Sequence, residues 1–191
     1  MNKDSHTVVR PWQRIEPTII TKVDYHNVIV KTYTLPDGNM TTRATFLSEG
    51  RRAAGVIAVT KDNQIIVARQ FRPGPERIMN EIPGGWVEEG EDPQVAAMRE
   101  LKEETGYTSQ NVSFLGEFSR DSYINGRWFY YLALDCEPTD VQALDDNEFV
   151  SVELCSIDEF IHNAKQGNMT DPFAVLAAYD QLLTLQGKVN Q

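Results

Sequence analysis

Between Asp92 and Gly106 the chain carries a helix with both ends written into it, and no other segment constrains the fold as tightly. Asp92 is a good N-cap, Pro93 suits the first helical position, and Gly106 can adopt the left-handed conformation that closes a helix. On such a helix Glu100 and Glu104 lie four residues apart on one face, with Glu103 adjacent. Three carboxylates this close repel one another unless a cation sits among them, and oxygen ligands of this kind suit Mg²⁺ or Mn²⁺. The face turned away from them, with Val95, Met98 and Leu101 and with Ala97 at its edge, is expected to supply the core contact.

On either side of this helix the pattern is mostly β. Residues 1–17 read as a polar arm containing Trp12. Three runs rich in β-branched and aromatic residues follow (18–23, 28–33 and 42–47), separated by turn-prone Asp24 to Asn27 and Pro36 to Asn39. They predict a three-stranded antiparallel sheet, too thin to be stable alone. Residues 54–59 and 64–68 predict a hairpin, 70–75 a loop, and 77–82 a short strand ending at Pro83-Gly84-Gly85. Strands are expected again at 112–119, 128–134 and 149–154, and closing helices at 156–165 and 171–185. Strands interspersed with helices predict an α/β layered domain. The expected boundaries are residues 1–50 for the arm and small sheet, and 51–187 for the main domain.

Composition narrows the function. The net charge of −10 opposes a role in coating nucleic acid, and an acidic protein that handles phosphates needs bound cations or a few placed arginines. Cys136 and Cys155 make no disulfide framework and sit in apolar stretches, as small core residues do. His6, His26 and His162 have no carboxylate or cysteine context and read as surface residues. No signal-peptide-like run or membrane-length apolar stretch is present, so a soluble cytoplasmic protein is expected.

The segment from Gly85 to Tyr107 resembles the signature of the Nudix hydrolases: Gly, five residues, Glu, seven residues, then Arg-Glu-apolar-any-Glu-Glu-any-Gly-apolar. Gly85, Glu91, Arg99, Glu100, Glu103, Glu104 and Gly106 all stand in place, and Leu101 fills the first apolar position. Tyr107 stands where an aliphatic residue is commoner. Arg69-Gln70-Phe71-Arg72, Asn80 to Gly85 and the acidic stretch Leu144 to Val150 are similar to the ADP-ribose pyrophosphatase group of that family. The similarity covers about residues 18–185. It implies an α/β/α sandwich with a mixed sheet, preceded by a small antiparallel subdomain.

The resemblance also implies roles. Glu100 and Glu104 would be the principal metal ligands, with Glu103 sharing a second ion and the Gly84 carbonyl completing a site. Divalent ions would neutralise phosphoryl oxygens and lower the pKa of bound water. Glu91 and Arg99 would pair to fix the loop against the helix, with Gly85 and Gly106 structural beside them. The general base would lie near Asp146-Asn147-Glu148, with Glu148 first as base or further metal ligand and Asp146 second. Arg72, then Arg69, could contact a phosphate, and Glu81 could accept hydrogen bonds from a base or sugar.

A Mg²⁺-dependent pyrophosphohydrolase is the expectation, acting on a nucleoside diphosphate sugar, foremost ADP-ribose cut to AMP and ribose 5-phosphate. The ADP-ribose group usually carries a proline about sixteen residues past the box, where this chain has Tyr123. A tyrosine near there is more typical of dinucleoside polyphosphate hydrolases, so those substrates and GDP-mannose stand as alternatives. A non-catalytic nucleotide sensor is another, although no box glutamate is lost. The thin amino-terminal sheet, and its exchange between subunits in related enzymes, lead to the expectation of a homodimer.

Overall fold

The computed structural model describes residues 9–23, 26–46, 49–139, 141–144 and 148–189. By internal contacts the chain forms two units: Met1–Arg51 with Asp121–Gly126, and Arg52–Arg120 with Arg127–Gln191.

The first unit is a sheet of three antiparallel strands in chain order, β1 (Gln13–Val23), β2 (His26–Thr34) and β3 (Met40–Phe46). β1 begins five residues before the predicted strand, because Gln13, Arg14 and Ile15 pair with Thr34, Tyr33 and Thr32 ahead of a register shift. The Asp121–Gly126 segment joins this unit through backbone. The Phe46 N–H donates to the Tyr123 carbonyl (2.7 Å) and the Asn125 N–H to the Phe46 carbonyl (3.0 Å). Buried Lys31 is held by Glu49 (2.9 Å) and the Asn125 side chain (2.8 Å).

The second unit is built on a mixed sheet. Its path is β11 (Ser151–Cys155), β5 (Ile65–Arg72), β4 (Arg52–Thr60), β10 (Arg127–Pro138) and β8 (Tyr107–Thr108). β6 (Arg77–Glu81) pairs with β5, β7 (Gly84–Trp86) with β4, and β9 (Asn111–Phe118) with β10. β4 and β10 run parallel, and the other pairings are antiparallel. β4 is buried almost end to end, as a central strand covered on both faces must be. One face carries α1 (Pro93–Thr105) on a core of Ala54, Val56, Ala58, Ala96, Ala97, Leu101 and Tyr131. α2 (Ile157–Lys165), α3 (Pro172–Ala177) and α4 (Tyr179–Val189) bring Phe160, Val175 and Leu182 into the remaining core. This is the expected α/β/α arrangement.

Where the structure departs from the sequence reading, the causes are local. Residues 70–72 continue β5 because they pair with Met79, Ile78 and Arg77. The single predicted helix over 171–185 is two, broken at Ala178. The core face of α1 also differs. Val95 is 58% exposed, while Ala96, Ala97, Leu101 and Glu104 are buried. At about 100° per residue, Glu104 falls in the middle of that buried stripe and Val95 opposite it. Glu104 therefore lies on the packed face of the helix with Glu100 beside it, and Glu103 stays at the rim.

Candidate active site

A cleft of about 720 Å³ opens in the second unit, lined among others by Gly84, Gly85, Glu100, Glu104, Glu148, Arg72 and Arg120. That volume is within the usual range for a small-molecule site.

α1 presents the carboxylates because both of its ends are fixed. Asp92 accepts a hydrogen bond from the Gln94 N–H (2.8 Å), and Gly106 closes the helix at φ 74° with its N–H on the Lys102 carbonyl. Glu104 accepts from the Gly84 N–H at 3.0 Å. Burial is the main cause that pushes its pKa up to about 8, with the charges of Glu100 and Glu148 adding to it. The pKa of Glu100 is likewise raised, first by burial, with Glu103 and Glu148 adding, against the lowering effect of Arg99.

The two glycines are required for different reasons. A Cβ on Gly85 would run into the Glu100 carboxylate, and one on Gly84 would meet the backbone of Ala54 and Gly55 on β4. The glycine pair thus lets helix and sheet close on each other with the carboxylates between them.

Arg99 organises the rim. It donates to Glu91 through Nε (3.1 Å) and Nη2 (3.3 Å), to Glu100 (2.8 Å) and Glu103 (2.9 Å) through Nη1, and to the Trp86 carbonyl (3.2 Å). Glu91 also accepts from the Glu88 N–H at 2.9 Å. Arg99, followed by that N–H, holds the Glu91 carboxyl below its ordinary range. Glu91 and Arg99 therefore tie the loop to the helix, and Arg99 reaches two further carboxylates besides.

On the other side stands Arg72. Its Nε and Nη2 grip Glu81 at 2.6 to 3.0 Å, and the Gln70 amide (3.0 Å) and Thr170 hydroxyl (2.7 Å) complete the ring around that carboxylate. Burial works against the Arg72 charge, but the hydrogen bonds and charge of Glu81 outweigh it and raise its pKa. Glu81 itself is 1% exposed. Its oxygens, expected to meet a base or sugar, accept from protein donors, and it is not among the residues lining the cleft. Arg69, one residue out of phase with Gln70 and Arg72 on β5, pairs instead with Glu153 at 2.5 Å and does not line the cleft.

Glu103 sits at the edge, where its carbonyl accepts from the Ala143 N–H (2.8 Å). Gln142 donates to the Glu104 carbonyl at 2.6 Å, tying its own side chain to the end of α1. Asp146 lies outside the described residues. Arg120, Thr170, Asp171 and Tyr130 also line the cleft and carried no sequence signal. Asp171 stands at a helix N-cap yet makes no capping bond. It accepts instead from the Tyr130 hydroxyl (2.8 Å), pairs with Arg120 at 3.5 Å, and lies 2.8 Å from the Thr170 hydroxyl, whose one proton it shares with Glu81.

Oxygen donors alone, negatively charged and partly withdrawn from water, fit a hard divalent cation held by Glu100, Glu104 and Glu148 with Glu103 beside them. Among the described residues no three such side chains already form a closed cage. A cation has to compete with Arg99 for Glu100 and Glu103. Arg72 and Arg120, which line the same cleft, can receive the oxygens of a phosphate group.

The NUDIX domain model matches residues 49–174. A Bacillus methanolicus protein named methanol dehydrogenase activator is 34% identical over 177 residues, covering 90% of this chain and 94% of that protein. A Bacillus subtilis (strain 168) ADP-ribose pyrophosphatase is 34% identical over 143 residues, 72% of this chain and 76% of that one. A solved structure described as an ADP compounds hydrolase superposes with a TM-score of 0.77 over 93% of this chain and 97% of its own. Its sequence identity is 19%, so it speaks for the fold alone. With Gly85, Arg99, Glu100 and Glu104 of the signature lining one cleft, this chain belongs to the Nudix hydrolase family.

Proposed function

We propose that the protein is a Mg²⁺-dependent pyrophosphohydrolase of nucleoside diphosphate sugars, with ADP-ribose cleaved to AMP and ribose 5-phosphate as its foremost reaction. Nudix hydrolases act on small nucleotide substrates with divalent cations. The observation that carries the finer reading is the cleft itself, where Glu100, Glu104 and Glu148 line the same space as Arg72 and Arg120. The relatives named ADP-ribose pyrophosphatase, from Bacillus subtilis and Saccharomyces cerevisiae, support the choice of substrate.

When bound by Glu100, Glu103, Glu104 and Glu148, with the Gly84 carbonyl as a further ligand, the cation would neutralise phosphoryl oxygens and acidify water. Arg72, held by Glu81, binds a phosphate and fixes the diphosphate for in-line attack. Glu148 orients the attacking water and accepts its proton, with Asp146 the second candidate. A new phosphorus–oxygen bond forms to the water oxygen, and the bridging bond breaks to leave two monophosphates. Glu91, Arg99, Gly85 and Gly106 keep the glutamates in place.

The test is hydrolysis of a panel containing ADP-ribose, GDP-mannose and dinucleoside polyphosphates, with Mg²⁺ and ¹⁸O-labelled water. AMP and ribose 5-phosphate are expected, with the label naming the attacked phosphorus. Binding without product from any of them would sink the reading in favour of a nucleotide sensor. A second reading, action on a partner dehydrogenase, is favoured by the Bacillus methanolicus relative, whose match covers 90% of this chain. Stimulation of such an enzyme by a Glu104→Gln variant that cannot hydrolyse nucleotides would support it. The amino-terminal unit of residues 1–50 is assigned to dimerisation and substrate contact.

A further inference from the structure

Two arginines of the cleft stand on one polar frame that the chemistry above uses only in part. Gln70 and Arg72 lie two residues apart on β5, so both point to one face, where Glu81 of β6 receives them. The Thr170 hydroxyl lies 2.7 Å from Glu81 and 2.8 Å from Asp171, and with its one proton it ties the two carboxylates to each other. Asp171 in turn pairs with Arg120 at 3.5 Å, and Arg120 donates through Nη2 to the Thr170 carbonyl. The Arg120 guanidinium also lies 5.2 Å from the ring centroid of Trp128, a buried indole. The mounts are withdrawn and the cations are not. Side-chain exposure is 1% for Glu81 and 16% for Asp171, against 41% for Arg72 and 25% for Arg120. Each guanidinium also keeps a donor in hand, since Arg72 Nη1 and Arg120 Nε make no hydrogen bond to any described residue.

We propose that Arg72 and Arg120 are two prongs of one receiver, each taking a different phosphate of a diphosphate, so that Arg120 is the residue that tells a diphosphate from a monophosphate. This assignment rests on reading the cleft as a diphosphate site. Separate phosphates are favoured over one shared phosphate because each guanidinium is tied to its own carboxylate. Converging on a single phosphate would require one of them to leave its mount, and an ion pair withdrawn from water resists that. The prongs are also ordered. Arg72 lies within electrostatic reach of Glu104 as well as Asp171, so it is the prong beside the catalytic carboxylates. Arg120 holds the phosphate farther from them. Once the bridging bond breaks, each product keeps one prong only, which favours its release.

The experiment titrates the full chain, in Mg²⁺, with AMP and separately with the α,β-methylene analogue of ADP, by calorimetry. The two ligands differ only in the second phosphoryl group, and the methylene bridge resists cleavage. Arg120→Gln should raise the Kd of the analogue about tenfold and that of AMP by less than about twofold. Arg120→Lys keeps a charge for Asp171 but loses the planar fork, so it should raise the Kd of the analogue about threefold, again sparing AMP. Arg72→Gln should weaken both ligands. Equal loss for both in Arg120→Gln would mean that one phosphate takes both prongs, and no loss for either that Arg120 does not meet the ligand. Each of these results overturns the proposal, as does a wild type that binds neither ligand. Should the Gln variant not fold, the Lys variant decides by the same comparison. Neither ligand is turned over, so the titration reports on the receiver alone, whereas failure of the hydrolase reading shows only as absent turnover of the panel.

Discussion

At the scale of single residues the site is a matter of which charges are mounted on which. Glu81 exists to hold Arg72, and the four donors around it replace the water it gave up. Glu81→Ala should cost about 2 kcal/mol of stability, measured as a shift in urea midpoint, because the Arg72 guanidinium and the Gln70 amide lose their acceptor, whereas Thr170 keeps Asp171. It should also raise KM more than it lowers kcat, since the arginine it orients serves binding; an unchanged KM would remove the mounting role. Glu104 is the converse case, a buried carboxylate that we propose holds an ion. Mg²⁺ at a hundredfold excess over its Kd should stabilise the wild type by about 2.7 kcal/mol, visible as a rise in Tm. Glu104→Gln should fold, lose turnover and lose most of that rise. The sequence displayed Glu104 plainly through its spacing from Glu100, but gave no sign of Asp171 or Thr170. Those two lie far along the chain from Arg72 and Glu81, and only the packing of α3 against the sheet unites them. The thiols offer a check of burial. Burial pushes Cys136 up to about 11 and Cys155 up to about 12, from an ordinary 9.0. Between about pH 9 and 11 the unfolded chain releases protons that the folded chain keeps, so stability falls as pH rises. A Cys136→Ala, Cys155→Ala double variant should show a flatter decline over that window in urea titrations at stepped pH.

At the scale of elements, α1 and its glycine pair can be separated experimentally. Gly84→Ala drives a methyl into the β4 backbone, which cannot yield, so the main loss should be stability. Gly85→Ala meets only the far end of the Glu100 side chain, which can swing away. It should fold with a near-normal Tm yet lose kcat, and the reverse pattern for the two variants would refute the packing described here. The limits of α1 were legible to the residue because capping is local chemistry, carried by Asp92, Pro93 and Gly106. Its orientation was not. The sequence gives Val95, Met98 and Leu101 as a plausible apolar face, and only the fit of Ala96 and Ala97 against β4 selects the stripe that contains Glu104. β7 and β8 escaped notice for a related reason, since strands of three and two residues are too short to show a period. Both exist because a neighbouring strand offers them partners.

At the scale of the whole molecule the unsettled demand is that of the amino-terminal sheet. Its consecutive residues Ile19 and Ile20 are 62% and 64% exposed, and neighbours along a strand point to opposite faces. Val23, Met40 and Phe46 are exposed as well. A three-stranded layer with apolar side chains on both faces gains stability only by covering them, and a second copy of the chain is the occupant we expect. Light scattering at micromolar concentration should then give twice the 21.7 kDa of one chain. A mass of 21.7 kDa would remove the dimer. Replacing Ile19 and Ile20 together by lysine should yield that monomer while Mg²⁺ still raises the Tm, because the carboxylate cleft lies wholly in the second unit. Salt supplies an independent sign. Each chain carries a net charge of −10, so two of them repel at long range while the interface itself is apolar. Raising ionic strength should therefore tighten the dimer, and a dissociation constant that instead rises with salt would mean that ion pairs rather than the exposed isoleucines hold the copies together.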